Sequence, residues 1–197
     1  KAKVRELRGK QESEQPEKAV LFWLQACRST LAVYALHEAI DLAQSGLRTV
    51  SVLDEGPTKN VVETALTFLL GRGLLATRGY ADPQVEQTFA RALTLCEGAG
   101  DSPQLFQVVG GLWAYFHIGG EAAKALELAE RLVRIADAES APEKTLQARY
   151  SYGYTLFRMG RYAESRDQLL LAREEEASGA DFASETASGD DTRIHLR

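Results

Sequence analysis

The sequence predicts an all-α fold, an α-α superhelix of about four antiparallel helical hairpins. Three features predict it. Prolines open successive helical patterns, packing residues recur at a fixed spacing, and no segment shows the sustained alternation of apolar and polar residues that marks a half-buried strand. A single hairpin of this size cannot bury its apolar stripe, so neighbouring hairpins are expected to stack. The first helix of each hairpin would then line a concave face.

Each of the five prolines precedes a helical pattern, because proline is tolerated in the first turn of a helix and is costly in its interior. Pro83 opens the second helix of the second hairpin, and Asp82 and Ser102 are predicted N-caps. The other four prolines begin similar hairpins at spacings of 41, 46 and 39 residues: Pro16, Pro57, Pro103 and Pro142.

Side chains at packing positions recur every 40 residues. Offsets of four and three residues keep each set of three on one helical face. The three sets are Val85, Phe89 and Ala92; Ala125, Ala129 and Leu132; and Ser165, Leu169 and Ala172. Gly120 and Gly160 are predicted to lie in the turns within their hairpins, and the VSVL segment at 50–53 is predicted to be the end of a helix.

Size and charge limit the possible partners. The 197 residues, 45% of them hydrophobic, suffice for a buried core. The net charge of -5 gives no large positive field, so nucleic acid is not an expected partner. Cys27 and Cys96 lie in apolar helical patterns and are predicted to be buried thiols rather than a disulfide, which fits a reducing compartment. No apolar run approaches the roughly 20 residues of a membrane span, and we expect a cytoplasmic protein.

The ends of the chain differ in composition from its middle. We predict a linker at 1–15, a helical repeat domain at 16–176, and at 177–197 either an acidic linker or the start of a further, truncated repeat. The first residue is not Met, and the chain is expected to be part of a longer polypeptide.

The segment YGYTLFRMGRYAESRDQLLLA resembles a tetratricopeptide repeat (TPR). Gly153 matches the position where two helices approach closely, and Leu156 matches a position that takes an aromatic residue or leucine. Gly160 and Tyr162 match the turn, and Ser165 and Ala172 match the small residues of the second helix. Trp113 departs from the small residue expected at the close-packing position of the middle hairpin. The period exceeds the roughly 34 residues of the usual repeat, so the longer TPR-like repeats of large bacterial signal-transduction proteins are more similar.

The segment at 76–113, ATRGYADPQVEQTFARALTLCEGAGDSPQLFQVVGGLW, resembles the helical C-terminal region of multidomain ATPases that carry an adenylate cyclase or a protein kinase. Kinase/cyclase fusion proteins associated with thiazole/oxazole-modified microcin (TOMM) gene clusters are among them. This resemblance implies that enzymatic chemistry belongs to other domains. It also implies that the present region is a regulatory arm that contacts proteins or senses a signal.

No motif for catalysis, a cofactor or a metal is recognisable in the sequence. GRGLLATRG lacks the Lys and Ser or Thr that complete a phosphate-binding loop, and no G-x-S-x-G nucleophile motif occurs. His37, His117 and His195 lie far apart without the paired spacing of zinc ligands. We therefore predict no catalytic residue, no cofactor and no metal site.

The TPR resemblance implies which side chains line the concave face, because the register of the first helix fixes them. Tyr and Arg are favoured anchors in protein interfaces. The candidate binding residues are Gln107, His117, Gln147, Tyr150, Tyr154 and Arg158. Two alternatives stay open: the tyrosines could pack between hairpins, and His117 could be a partly exposed histidine at a helix end.

The predicted function is a non-catalytic, TPR-like scaffold for protein interaction and regulation. Its partner would be another protein, other domains of the same polypeptide, or a second copy in a homodimer. Two alternatives are a small-molecule sensor of a signalling ATPase and a structural dimerisation arm. A deep apolar pocket between Trp113, Phe116 and the tyrosines at 150–154 would favour the sensor.

Overall fold

A computed structural model of the protein describes residues 16–99, 102 and 104–177. Within these residues the chain forms eight α-helices and no strand. The helices are α1 (Pro16–Ala32), α2 (Leu36–Val50), α3 (Pro57–Arg78), α4 (Pro83–Ala99), α5 (Leu105–Gly119), α6 (Ala122–Glu139), α7 (Pro142–Arg158) and α8 (Tyr162–Ala177). The predicted linker 1–15 and all but the first residue of the predicted C-terminal segment 177–197 lie outside the described residues.

The chain divides into two compact units, unit 1 ending at Leu105 and unit 2 beginning at Phe106. In unit 1, α1 packs on α2, α2 on α3 and α3 on α4, and α1 also contacts α3. In unit 2, α6 packs on α7 and α7 on α8. The all-α prediction and the packing of helices in sequence order are confirmed. None of the described helices combines the length and the apolar character needed to cross a membrane.

The helices begin where the prolines predict. Pro16, Pro57, Pro83 and Pro142 are each the first residue of a helix, whereas Pro103 lies outside the described residues. The N-cap role of Asp82 is confirmed, since its carboxylate accepts the Gln84 N–H at 2.8 Å. The carbonyl of Ser102 accepts the Leu105 N–H at 3.0 Å, and its hydroxyl lies 3.2 Å from Gln104 Oε1. Helix α2 ends at Val50, which confirms the predicted helix end at 50–53.

Three turns between paired helices share one hydrogen-bond pattern, in which a residue with positive φ ends the helix. These residues are Tyr34 (φ 57°), Gly120 (φ 86°) and Gly160 (φ 77°). The next N–H donates to the carbonyl five residues earlier, from Ala35 to Thr30 (2.9 Å), Glu121 to Phe116 (2.9 Å) and Arg161 to Leu156 (3.0 Å). The predicted turn glycines are confirmed. In the first hairpin a tyrosine takes this conformation, which a side chain makes unfavourable.

The packing positions found from the 40-residue recurrence lie in the core. Leu169 is partly buried. The other eight members of the three sets are buried: Val85, Phe89, Ala92, Ala125, Ala129, Leu132, Ser165 and Ala172.

The predicted close approach of two helices at Gly153 is also confirmed. A Cβ atom at this position would lie 2.8 Å from Leu169 Cγ and 3.2 Å from the Ser165 carbonyl oxygen. The Ser165 hydroxyl donates to the Gly153 carbonyl at 2.8 Å. The absence of a side chain at Gly153 therefore lets α7 and α8 come into contact.

We expect Gly153→Ala to destabilise unit 2 by about 1–3 kcal/mol, because the added methyl group meets Leu169 and the α8 backbone. Urea denaturation measures this loss through Trp113 fluorescence in a Trp23→Phe background. Combining Gly153→Ala with Leu169→Ala should recover part of the loss. The control is Gly98→Ala of unit 1, whose Cβ would have no neighbour within 4 Å; it is read through Trp23 fluorescence in a Trp113→Phe background. A Gly153→Ala protein as stable as the wild type would contradict the close approach.

Candidate functional site

All six predicted binding residues lie on two helices of unit 2. Helix α5 carries Gln107 and His117, and α7 carries Gln147, Tyr150, Tyr154 and Arg158. His117, Tyr150 and Tyr154 come together through ring contacts. Gln107 and Arg158 are exposed and Gln147 is partly buried. The six residues thus divide into a packed aromatic group and a polar, solvent-facing group.

Four rings form a continuous row of contacts that we call the aromatic ladder, made of Trp113, His117, Tyr154 and Tyr150; the outer two pairs are stacked and the middle pair is tilted by 41°. Trp113 stacks on His117 with ring centroids 5.0 Å apart, one helical turn along α5. The His117 ring lies 4.7 Å from Tyr154 of α7, and Tyr154 stacks on Tyr150 at 5.8 Å. These separations fall in the range of favourable aromatic pairs. The ladder therefore joins α5 to α7 through side chains.

A hydroxyl group on α7 fixes the α5 end of the ladder. Thr155 Oγ1 donates to the Ser151 carbonyl at 2.8 Å and accepts the Trp113 indole N–H at 2.9 Å. His117 Nδ1 lies 3.4 Å from the same oxygen. Because the single hydroxyl hydrogen is directed to Ser151, we assign the imidazole proton to Nδ1, which donates to Thr155. Nε2 then carries a lone pair.

His117 is buried more deeply than the sequence indicates. Only 4% of its surface is exposed, and its Nε2 atom is buried without a hydrogen-bond partner among the described residues. Burial, followed by the positive charge of Arg158, lowers the His117 pKa from 6.5 to about 4. The imidazole is neutral at pH 7. The alternative of a partly exposed histidine at a helix end is wrong, since the His117 ring is buried within the aromatic ladder.

The other end of the ladder reaches solvent. Tyr154 is 39% exposed, although its ring contacts His117, and Tyr150 is partly buried. The tyrosines therefore pack between helices and also expose surface to solvent. Arg158 follows Tyr154 by one helical turn on the same face of α7, and its positive charge acts on His117.

Two parts of this arrangement had no clear signal in the sequence. No pattern pointed to Thr155, and Trp113 was predicted as a departure from the repeat pattern and as a wall of the apolar pocket that a sensor would need, not as a hydrogen-bond donor. The hydrogen bond between them joins residues 42 positions apart. The spacing of 40 residues that relates successive hairpins gives a weak signal that the two positions are close.

A concave feature lies in unit 1, and no sequence motif pointed to it. It is an open cleft of about 700 Å³ between α2, α3 and α4. Two ion pairs lie in its wall, Lys59 with Glu55 at 2.6 Å and Arg91 with Glu63 at 2.9 Å. Its lining residues are Leu47, Val50, Ser51, Glu55, Lys59, Asn60, Glu63, Thr67, Leu70, Gln84, Gln87, Thr88, Arg91 and Leu95. The lining is mixed, with amides and hydroxyl groups beside four aliphatic residues.

Both cysteines are buried thiols, as predicted. Cys27 Sγ lies 3.4 Å from the Ala39 carbonyl oxygen, and burial raises the pKa of this thiol to about 11. A thiol with this pKa is protonated at pH 7 and is a poor nucleophile. Among the described residues, no group of three His, Cys, Asp or Glu side chains is placed to hold a metal ion.

Comparison of the chain with protein-family models, with curated proteins and with solved structures finds no match.

Proposed function

We propose that the chain is a non-catalytic module for protein interaction and regulation, built from TPR-like helical hairpins. The observation that supports this proposal is the aromatic ladder of unit 2, which is held internally by Thr155 and is open to solvent at Tyr154. A packed aromatic group with one exposed edge is a suitable anchor for a peptide, because little side-chain entropy is lost when the partner binds.

The polar residues beside the ladder would contribute specificity. Arg158 can pair with an acidic group of a partner, and Gln107 and Gln147 can exchange hydrogen bonds with a peptide backbone. On the resemblance to multidomain bacterial signalling proteins, the natural partners are the kinase, cyclase or ATPase domains of the same polypeptide, or a separate protein. Binding would then regulate the attached catalytic domains.

The proposal is tested with a peptide library displayed on phage and selected against the immobilised chain. One selected peptide is titrated by fluorescence anisotropy. We expect Tyr154→Ala to weaken its binding about tenfold or more, and Arg158→Ala about threefold to tenfold. The control is Arg166→Ala on α8, since the Arg166 side chain is 71% exposed and, among the described residues, pairs with its neighbour Asp167.

Two other outcomes separate the alternative functions. If no peptide is selected and polar small molecules raise the melting temperature, the chain is a small-molecule sensor that uses the unit 1 cleft. The volume of that cleft favours this second candidate, since about 700 Å³ is typical of small-molecule sites. If the chain binds neither and light scattering shows a stable dimer, it is a dimerisation arm. Peptides that bind Tyr154→Ala as well as the wild type would overturn the proposed use of the ladder.

A further inference from the structure

We propose that the aromatic ladder receives a tryptophan side chain of the bound protein, whose indole N–H donates to Nε2 of His117. This proposal rests on the function proposed above and names the chemistry that the site recognises. Its basis is the combination of stacked rings with a buried acceptor that has no partner among the described residues.

The buried Nε2 atom is the unusual feature. A polar atom buried without a hydrogen-bond partner is costly, and most such atoms in proteins are paired. Nδ1 already faces Thr155, and rotation of the ring by 180° about χ2 would put the Cδ2 carbon in its place and break that contact. A donor supplied by a ligand would remove this cost. The free energy lost by burying Nε2 without a hydrogen bond is regained when a donor binds, and this favours binding of a donor.

The site would discriminate among donor groups of a ligand by their charge and by whether they also carry acceptor lone pairs. Lysine and arginine side chains are donors, but Arg158 acts on His117 with a positive charge and would repel them. Hydroxyl and amide groups also carry acceptor atoms, which would be left unpaired beside the apolar rings. Indole is neutral, planar and a donor only. Its ring can also stack on a tyrosine.

Tyr154 controls access to the imidazole. Its ring lies 4.7 Å from the His117 ring and is 39% exposed, whereas His117 is 4% exposed. The proposed complex requires the Tyr154 ring to move outward on its solvent side by rotation about χ1. The entering indole would stack on Tyr154 and direct its N–H to the edge of the imidazole. Arg158, one turn further along α7, can then lie over the indole ring.

The test uses N-acetyl-L-tryptophanamide and its 1-methyl analogue, which has the same ring but lacks the indole N–H. Histidine side chains labelled with ¹⁵N are followed by NMR at pH 7, and His117 is assigned by loss of its signal in His117→Phe. We expect N-acetyl-L-tryptophanamide to move the His117 Nε2 resonance upfield to saturation. The 1-methyl analogue should bind about fivefold more weakly, as for the loss of one neutral hydrogen bond.

The His117→Phe variant separates hydrogen bonding from packing. It keeps a planar ring next to Trp113 and Tyr154 but has no acceptor, so the two probes should bind it equally. Arg166→Ala is the control and should keep the fivefold preference. Equal binding of both probes to the wild type, or an unchanged Nε2 resonance at saturation, would overturn the proposal.

The source of the indole is settled by comparison with a peptide. A tryptophan-containing peptide selected against the chain should bind at least about tenfold more tightly than N-acetyl-L-tryptophanamide, through its neighbouring residues. If the small probe binds as tightly, the site takes a free indole compound and the protein-ligand assignment is wrong. Selected peptides that require Tyr154 but contain no tryptophan would leave the proposed function intact and overturn this inference alone.

Discussion

Phe89→Ala is expected to destabilise unit 1 by about 4 kcal/mol. The Phe89 side chain is fully buried, and its ring lies against Gly71, where a Cβ atom would be 3.0 Å from Phe89 Cε1. The Phe68 ring lies 6.1 Å away. Because Gly71 has no side chain to fill the vacated space, truncation leaves a cavity between α3 and α4. Urea denaturation followed through Trp23 fluorescence in a Trp113→Phe background measures the loss.

The matched control for this change lies on α3. Val61→Ala also removes an apolar side chain, but Val61 is 42% exposed and should lose less than about 1 kcal/mol. A Phe89→Ala protein that loses no more stability than Val61→Ala would show that the contact of α3 with α4 does not depend on this ring.

The recurrence of packing residues predicted the helices of unit 2 well, because helical periodicity and turn glycines are local properties of the sequence. The first hairpin gave a weaker signal for a physical reason. Its turn has the same hydrogen bonds as the turns at Gly120 and Gly160, but Tyr34 takes the positive-φ position. A tyrosine at this position does not indicate a turn in a sequence. The division of the chain after Leu105 lies close to the hairpin start predicted at Pro103, but nothing in the sequence distinguishes this start from the other three.

The register of α7 predicted that Tyr150 and Tyr154 share a face, and the contact of Tyr154 with His117 agrees with that register. The depth of His117 could not be predicted, because it depends on how closely α5 and α7 approach. The hydrogen bond from Trp113 to Thr155 could not be predicted either, because it also depends on how closely α5 and α7 approach. The unit 1 cleft is formed by three helices together, so the pattern of any one helix does not predict it. In the sequence, its polar residues look like an ordinary solvent-exposed surface.

Acid is expected to destabilise unit 2 through His117, by up to about 3 kcal/mol between pH 6.5 and pH 4. Burial lowers the pKa of His117 from 6.5 to about 4 in the folded state, so the unfolded chain binds more protons in this window. The contribution of neutral His117 to stability is complete above pH 6.5. This contribution is lost as the pH falls towards 4. His117 causes no further loss of stability once it is protonated in both the folded and the unfolded protein.

His117→Phe should abolish this part of the pH dependence, since a phenyl ring keeps the stacking on Trp113 and Tyr154 but cannot be protonated. Urea denaturation at pH 4.5 and pH 7, read through Trp113 fluorescence in a Trp23→Phe background, measures the difference between the two proteins. Carboxylates titrate equally in both proteins, so their effect cancels in the comparison. Gln107→Ala, at an exposed position of α5 that carries no titratable group, is the control and should retain the wild-type slope. If His117→Phe and the wild type lose equal stability on acidification, the imidazole must be open to solvent, and Nε2 could not then act as a buried acceptor.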